Sequence, residues 1–127
     1  LRALRRNEIV IFVLDQFMGP PIGVRTRFFN KETGTAAGCA LMAERTGAPV
    51  LPAYSFRKKN GRHAIVLEAP LDFHRGSGEA KENISSNTQA YTDKLEAIVR
   101  AHPEQWMWNI GDGKNFAIEP IADRQNF

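Results

Sequence analysis

The 127-residue sequence has one cysteine, Cys39, three histidines, and no apolar run longer than Ile9 to Leu14. A single thiol excludes an internal disulfide framework, and the apolar run falls far short of the roughly 20 residues that a membrane-spanning helix needs. His63, His74 and His102 lack partners at the spacings of zinc sites. Gly34-Thr-Ala-Ala-Gly38 could present backbone N–H groups to an anion, but it lacks the Gly-Lys-Ser/Thr ending of a phosphate-binding loop. Excess charge is scarce too: 17 Lys+Arg stand against 14 Asp+Glu, a net charge of +3. The basic groups Arg2, Arg5, Arg6 and Arg57, Lys58, Lys59, Arg62 therefore read first as solvated faces, and no nucleic-acid-binding signature accompanies them. No charged, apolar and cleavage regions follow one another at the start, so a reducing compartment is the expectation.

What is present is a globular composition, 43% hydrophobic and 24% charged with eight Phe, enough for one packed domain and too short for several. Leu1 to Arg6 reads as the last turn of an amphipathic helix, which suggests a piece of a longer protein. Ile9 to Leu14, continuously apolar and rich in β-branched residues, predicts a strand buried on both faces, as in a parallel sheet. Asp15 and Gln16 then fall at its carboxyl end, the edge at which open α/β sheets bind ligands. Phe17 to Val24 is turn-rich, Arg25 to Phe29 is a short extended segment, and residues 30–34 interrupt it.

Thr35 is the expected N-cap of a helix over Ala36 to Arg45, stopped by Gly47. Ala48 to Phe56 and His63 to Glu68 predict an antiparallel pair across the Asn60-Gly61 turn, extending the sheet begun in parallel. Ile84, Thr88, Tyr91, Leu95 and Ile98 recur at helical spacing and predict a helix from about Ile84 to Ala101, ended by Pro103. Cys39 reads as a small buried hydrophobe. His63 with Glu68 and His74 with Glu79 have the spacing of a base and its orienting carboxylate. The first pair points to opposite faces of a strand, and the second lies in a loop without an apolar wall.

Taken in order, Leu14-Asp-Gln16, Gly23-Val24, Phe28-Phe29, Thr35-Ala-Ala-Gly38, Ala43-Glu-Arg-Thr-Gly-Ala-Pro-Val-Leu-Pro52, Asn87-Thr-Gln89, Glu96-Ala-Ile-Val-Arg100 and His102-Pro-Glu-Gln-Trp-Met-Trp108 form an ordered set. With it, the chain resembles the lipid A biosynthesis acyltransferases from about Leu1 to Trp108, aligned with their C-terminal half. The resemblance implies a glycerol-phosphate-acyltransferase-like α/β fold with a mixed sheet and flanking helices. Residues 1–127 would then be a single unit, the C-terminal part of a larger acyltransferase domain.

The resemblance also implies an acyl carrier protein thioester as donor, a hydroxyl of a lipid A precursor as acceptor, and a place on the cytoplasmic face of the inner membrane; no cofactor or metal is expected. The family's His-x4-Asp/Glu, in which histidine deprotonates the acceptor hydroxyl, belongs upstream of the Asp15 strand, so no catalytic residue is assigned in this chain and the fragment alone should be inactive. Carried over are substrate-binding positions: Asp15 and Gln16 at the strand end, Phe28 and Phe29 walling the cleft, and Thr35 with Gly38 at the helix start. Arg25 and Arg27 are the candidates for acceptor phosphate.

After Trp108 the chain departs from the family. Asn109-Ile-Gly-Asp-Gly-Lys114 replaces its His-Arg-Arg-Trp-Lys-like segment. That departure favours the alternative, a non-catalytic relative binding an acyl lipid or a protein. The expected partners are the acyl carrier protein thioester, the lipid A precursor and, through the basic turn Arg57 to Arg62, an anionic membrane surface. Nucleic acid is not among them. An apolar face left uncovered by a missing half would favour homo-oligomers.

Overall fold

A computed structural model describes residues 1–108. The divergent tail, and the expectation attached to it, lie outside the described residues. In chain order the elements are α1 (Arg2–Arg5), β1 (Gly23–Phe28), β2 (Lys31–Ala36), α2 (Gly38–Thr46), β3 (Ala53–Arg57), β4 (His63–Leu67), α3 (Ala80–Ala101) and a 3-10 turn over Pro103–Gln105. The chain is α/β. Its two sheets are separate antiparallel hairpins, β1–β2 and β3–β4, with helices beside them.

In the first hairpin Phe28 opposes Lys31, leaving Phe29 and Asn30 as a two-residue turn with φ of 49° and 61°. Positive φ at both central residues matches the right-handed twist of the flanking strands. The second strand escapes a sequence reading because Asn30 to Gly34 looks like a break, whereas Asn30 is the turn and the strand begins at Lys31. Gly23 and Gly34 are required for close approach: a Cβ on Gly34 would stand 2.5 Å from the Met18 carbonyl oxygen, and one on Gly23 would overlap the same oxygen. The Met18 N–H in turn donates to the Gly34 carbonyl at 3.0 Å, so the segment after Gln16 folds back across the hairpin.

α3 is the central support. It packs on β1 and α2, and its buried residues Asn87, Thr88, Tyr91, Thr92 and Val99 keep the expected spacing, although the helix begins at Ala80. Cys39, Ala40 and Tyr91 form the small core, with Leu14, Val50, Leu71, Phe73 and Ile84 packed against it. The β3–β4 pair forms antiparallel across the expected turn, but it starts at Ala53 rather than Ala48 and stands as a sheet of its own instead of extending another, because no other strand among the described residues pairs with either edge. Beyond Pro52, whose missing N–H does not interrupt the pairing because its carbonyl accepts from Glu68, a bridge from Val50 to Leu71 continues it.

Two further expectations are corrected. Ile9 to Leu14 joins no ladder, so the parallel part of a mixed sheet does not exist among the described residues. A continuously apolar strand is buried only when neighbours flank both edges and layers cover both faces. Here only one side is covered, with Phe12 against Gly38 and Leu14 against the core. Thr35 does not cap α2. It is a buried residue of β2, and the helix starts after Ala37 without a side-chain cap. The run Thr33-Gly-Thr35 pairs with β1, and the Thr35 hydroxyl is bonded to that of Thr26, so it has no role left at a helix end.

Candidate functional site

The residues expected to bind substrate fall into two groups. Asp15 and Gln16 lie between Phe12, which packs on Gly38 at the start of α2, and Met18, which bonds to Gly34. This first group therefore gathers Asp15, Gln16, Thr35 and Gly38 around the junction of β2 and α2. Phe28 and Phe29 stand at the opposite end of the hairpin, roughly 14 Å away for four residues at about 3.4 Å each. Arg25 and Arg27 lie between the groups, exposed on the outer face of β1, while Thr26 and Phe28 alternate with them on the buried face.

At the junction one carboxylate oxygen of Asp15 is buried without a hydrogen-bond partner among the described residues. The hydroxyls of Thr26 and Thr35 are 2.7 Å apart, and Thr92 Oγ1, which donates to the Thr88 carbonyl at 2.9 Å, lies 3.3 Å from Thr35 Oγ1. This buried hydroxyl chain joins the hairpin to α3. Cys39 and Tyr91 lie alongside in the core, where burial raises the thiol to about 11 and the phenol to about 12. Neither is poised to ionise near neutral pH.

The turn end is organised by a polar stripe of α3 that single-residue reasoning missed. Gln89, Asp93, Glu96 and Arg100 recur at offsets of four, seven and eleven, which places them on one face of the helix. Gln89 treats β1 as a neighbouring strand would. Its Oε1 accepts the Arg27 N–H at 2.7 Å, and its Nε2 donates to the Arg27 carbonyl at 2.9 Å and to Asp93 at 2.6 Å.

Glu96 accepts the Phe29 N–H at 2.6 Å and pairs with Arg100, whose guanidinium lies 4.6 Å from the centroid of the Phe29 ring. The Phe29 hydrogen bond, reinforced by Arg100 and opposed by desolvation, holds the Glu96 carboxyl below its ordinary value. Phe29, a bulky residue at positive φ, is thus fixed by a carboxylate, a cation and the edge-on ring of Trp108. Phe28 packs against Phe29 and Trp106 as part of the same aromatic cluster.

Arg27, Asn30, Gln89, Asp93 and Glu96 line an open polar cleft of about 500 Å³ beside this turn. One cation, two amides and two carboxylates suit a ligand rich in hydroxyls and anionic oxygens. Among the described residues no group of three or more His, Cys, Asp or Glu is placed to hold a metal ion, and no helix is long and apolar enough to cross a membrane.

Two further amides repeat the action of Gln89. Asn87 accepts the His74 N–H and donates to the His74 and Asn83 carbonyls, and Gln105 brackets Arg57 of β3 in the same way. His102 stacks on Phe56, and Lys94 pairs with Glu68, so the second hairpin is tied to the end of α3. These contacts give physical content to Asn87-Thr-Gln89, Glu96 to Arg100 and His102 to Trp108 in the ordered motif set. They are the residues through which α3 and the turn that follows it hold three chain segments.

Residues 1–109 match the family described as bacterial lipid A biosynthesis acyltransferase. The chain belongs to that family. It is 30% identical over 103 residues to a phosphatidylinositol mannoside acyltransferase of Mycobacterium tuberculosis, covering 81% of this chain and 30% of that protein. It is 27% identical over 110 residues to the lipid A biosynthesis lauroyltransferase of Escherichia coli K12, covering 85% of this chain and 34% of that protein. The chain therefore spans about a third of the length of the curated relatives it matches.

Proposed function

We propose that this chain forms the acceptor-binding part of an acyltransferase that moves a fatty acyl group from an acyl carrier protein thioester to a hydroxyl of a lipid A precursor. The observation that carries the reading is the family match over residues 1–109, supported by relatives named as a phosphatidylinositol mannoside acyltransferase and a lipid A biosynthesis lauroyltransferase. In the reaction the acceptor oxygen attacks the thioester carbonyl carbon, an ester C–O bond forms, and the C–S bond breaks. The proton removed from the hydroxyl leaves with the thiol. The base is the family's His-x4-Asp/Glu, supplied from outside this chain, with Asp15 and Gln16 beside it.

The chain's own residues would bind and orient. Arg25 and Arg27 meet acceptor phosphate, and the cleft beside Arg27 takes sugar hydroxyls on Asn30, Gln89 and Asp93. Phe28 and Phe29 wall the turn end, and the Glu96 and Gln89 clamps keep that wall fixed. The basic turn Arg57 to Arg62 faces anionic headgroups at a cytoplasmic membrane surface.

The test is kinetic. A chimera of the E. coli lauroyltransferase, with its matched segment replaced by residues 1–109 of this chain, is compared with the same chimera carrying Arg25→Ala and Arg27→Ala. The double variant should raise the acceptor KM or lower kcat/KM, and unchanged constants would remove the role assigned to the arginines. Sedimentation with anionic vesicles at varied salt tests the membrane contact, which fails if no lipid-dependent binding occurs.

A further inference from the structure

Three features of the described residues have no partner, and they point the same way. Along residues 9–13 exposure alternates: Ile9, Ile11 and Val13 are 89%, 84% and 66% exposed, whereas Val10 and Phe12 are 39% and 36% exposed. That is the period of an extended strand with one side turned to the protein and the other to open space. Its backbone is also unpaired, since no backbone hydrogen bond among the described residues involves Ile9 to Phe17.

The β3–β4 hairpin shows the same asymmetry. Tyr54, Phe56, Ala64 and Val66 form its half-buried face, while Ile65 and Leu67 on the other are 77% and 71% exposed. Finally, the orphaned carboxylate oxygen of Asp15 is buried at the end of the first stripe. Large β-branched side chains in strand period, an unpaired backbone and an unmet acceptor are what a layered domain shows where a layer has been lifted off.

We infer that the outer faces of Ile9–Val13 and of Ile65–Leu67 are an internal interface, covered by the remaining polypeptide of the acyltransferase domain, which also donates a hydrogen bond to Asp15. The occupant is argued from length. The chain spans 30% and 34% of its relatives, so about two thirds of such a protein is available to form that layer. The inference rests on family membership and on these uncovered faces, not on the identity of donor or acceptor.

Cysteine labelling tests it without reading activity. Ile11→Cys and Ile65→Cys are made separately in the full 127-residue chain and in the chimera with the E. coli lauroyltransferase. Cys39, buried and held as a thiol, is the silent background of this chain, and the chimera is made with any cysteine of its E. coli part replaced by serine.

The expected result is fast maleimide reaction at both positions in the isolated chain and reaction slower by at least ~10-fold in the chimera, with both slow sites released by denaturant. Equal rates in a cooperatively melting chimera overturn the inference, and so does a chimera that shows no cooperative melt. Slow labelling in the isolated chain also overturns it: if sedimentation shows a dimer, the face is a self-interface, and if a monomer, the chain's own tail covers it. Loss of acyl transfer with protection intact would count against the proposed reaction and leave this inference standing.

Discussion

Replacing Asn87 with Ala tests the claim that α3 holds the loop after β4 through one buried amide. Asn87 is 1% exposed, and its side chain makes three hydrogen bonds: it accepts from the His74 N–H at 2.9 Å and donates to the His74 and Asn83 carbonyls at 2.8 and 2.7 Å. His74 itself is exposed, so water can replace part of what its peptide groups lose. At about 1 kcal/mol net for each bond, with one recovered by water, and a small cavity added, the substitution should destabilise the chain by about 2–3 kcal/mol. For a domain of this size that corresponds to a fall in Tm of about 10–20 °C.

Asn87→Asp sharpens the test. It keeps the acceptor but loses both donors and sets a charge against two carbonyls. It should be at least as destabilising at neutral pH, and its deficit relative to wild type should shrink as the carboxyl takes up a proton and regains a donor. Thermal and urea unfolding followed by circular dichroism measure the loss, and amide exchange at His74 locates it. An Asn87→Ala variant within about 0.5 kcal/mol of wild type, or an unchanged His74 amide, would refute the reasoning.

Three further outcomes follow from the same geometry. The Glu96 carboxyl is depressed from its ordinary 4.5, so its stabilisation is fully present above that pH and is lost as pH falls through the lower folded value. The gap in stability between wild type and Glu96→Gln should therefore be constant above 4.5 and close in acid; a gap that widens in acid contradicts the assignment. Cys39, raised to about 11 by burial, should resist iodoacetamide at pH 8 until the chain unfolds, and rapid native labelling would show the core to be open. Gly34→Ala should cost about 1–3 kcal/mol, because the new methyl meets the Met18 carbonyl and the Phe17 ring, and an unchanged urea midpoint would mean that this loop does not lie on the hairpin.

The second hairpin and α3 were legible in the sequence because their signals are local: Asn60-Gly61 between alternating strands, and a helical repeat ended by Pro103. β2 was not. Its turn uses Phe29-Asn30, and a phenylalanine at positive φ is held there by Glu96, Arg100 and Trp108 from 67 or more residues away. Thr35 misled because a threonine before a run of small residues resembles a cap, and only its pairing with β1 and its bond to Thr26 make it a strand residue.

The apolar run Ile9 to Leu14 was read as a strand buried on both faces, and its composition is that of one. What composition could not supply was the presence of neighbours. For the site, residue types drew attention to Arg25, Arg27, Phe28 and Phe29. The stripe Gln89, Asp93, Glu96 and Arg100 was visible as a seven-residue repeat of polar groups on an otherwise amphipathic helix. It passes for a solvated face until the hydrogen bonds to Arg27 and Phe29 are seen.

The most direct test of the functional account is acyl transfer by the chimera in which residues 1–109 replace the matched segment of the E. coli lauroyltransferase. The substrates are an acyl carrier protein thioester and a lipid A precursor. The account predicts product above that of a control chimera whose upstream histidine is replaced, and a further loss on Arg25→Ala with Arg27→Ala. A chimera that melts cooperatively but transfers no more acyl group than that control would contradict it.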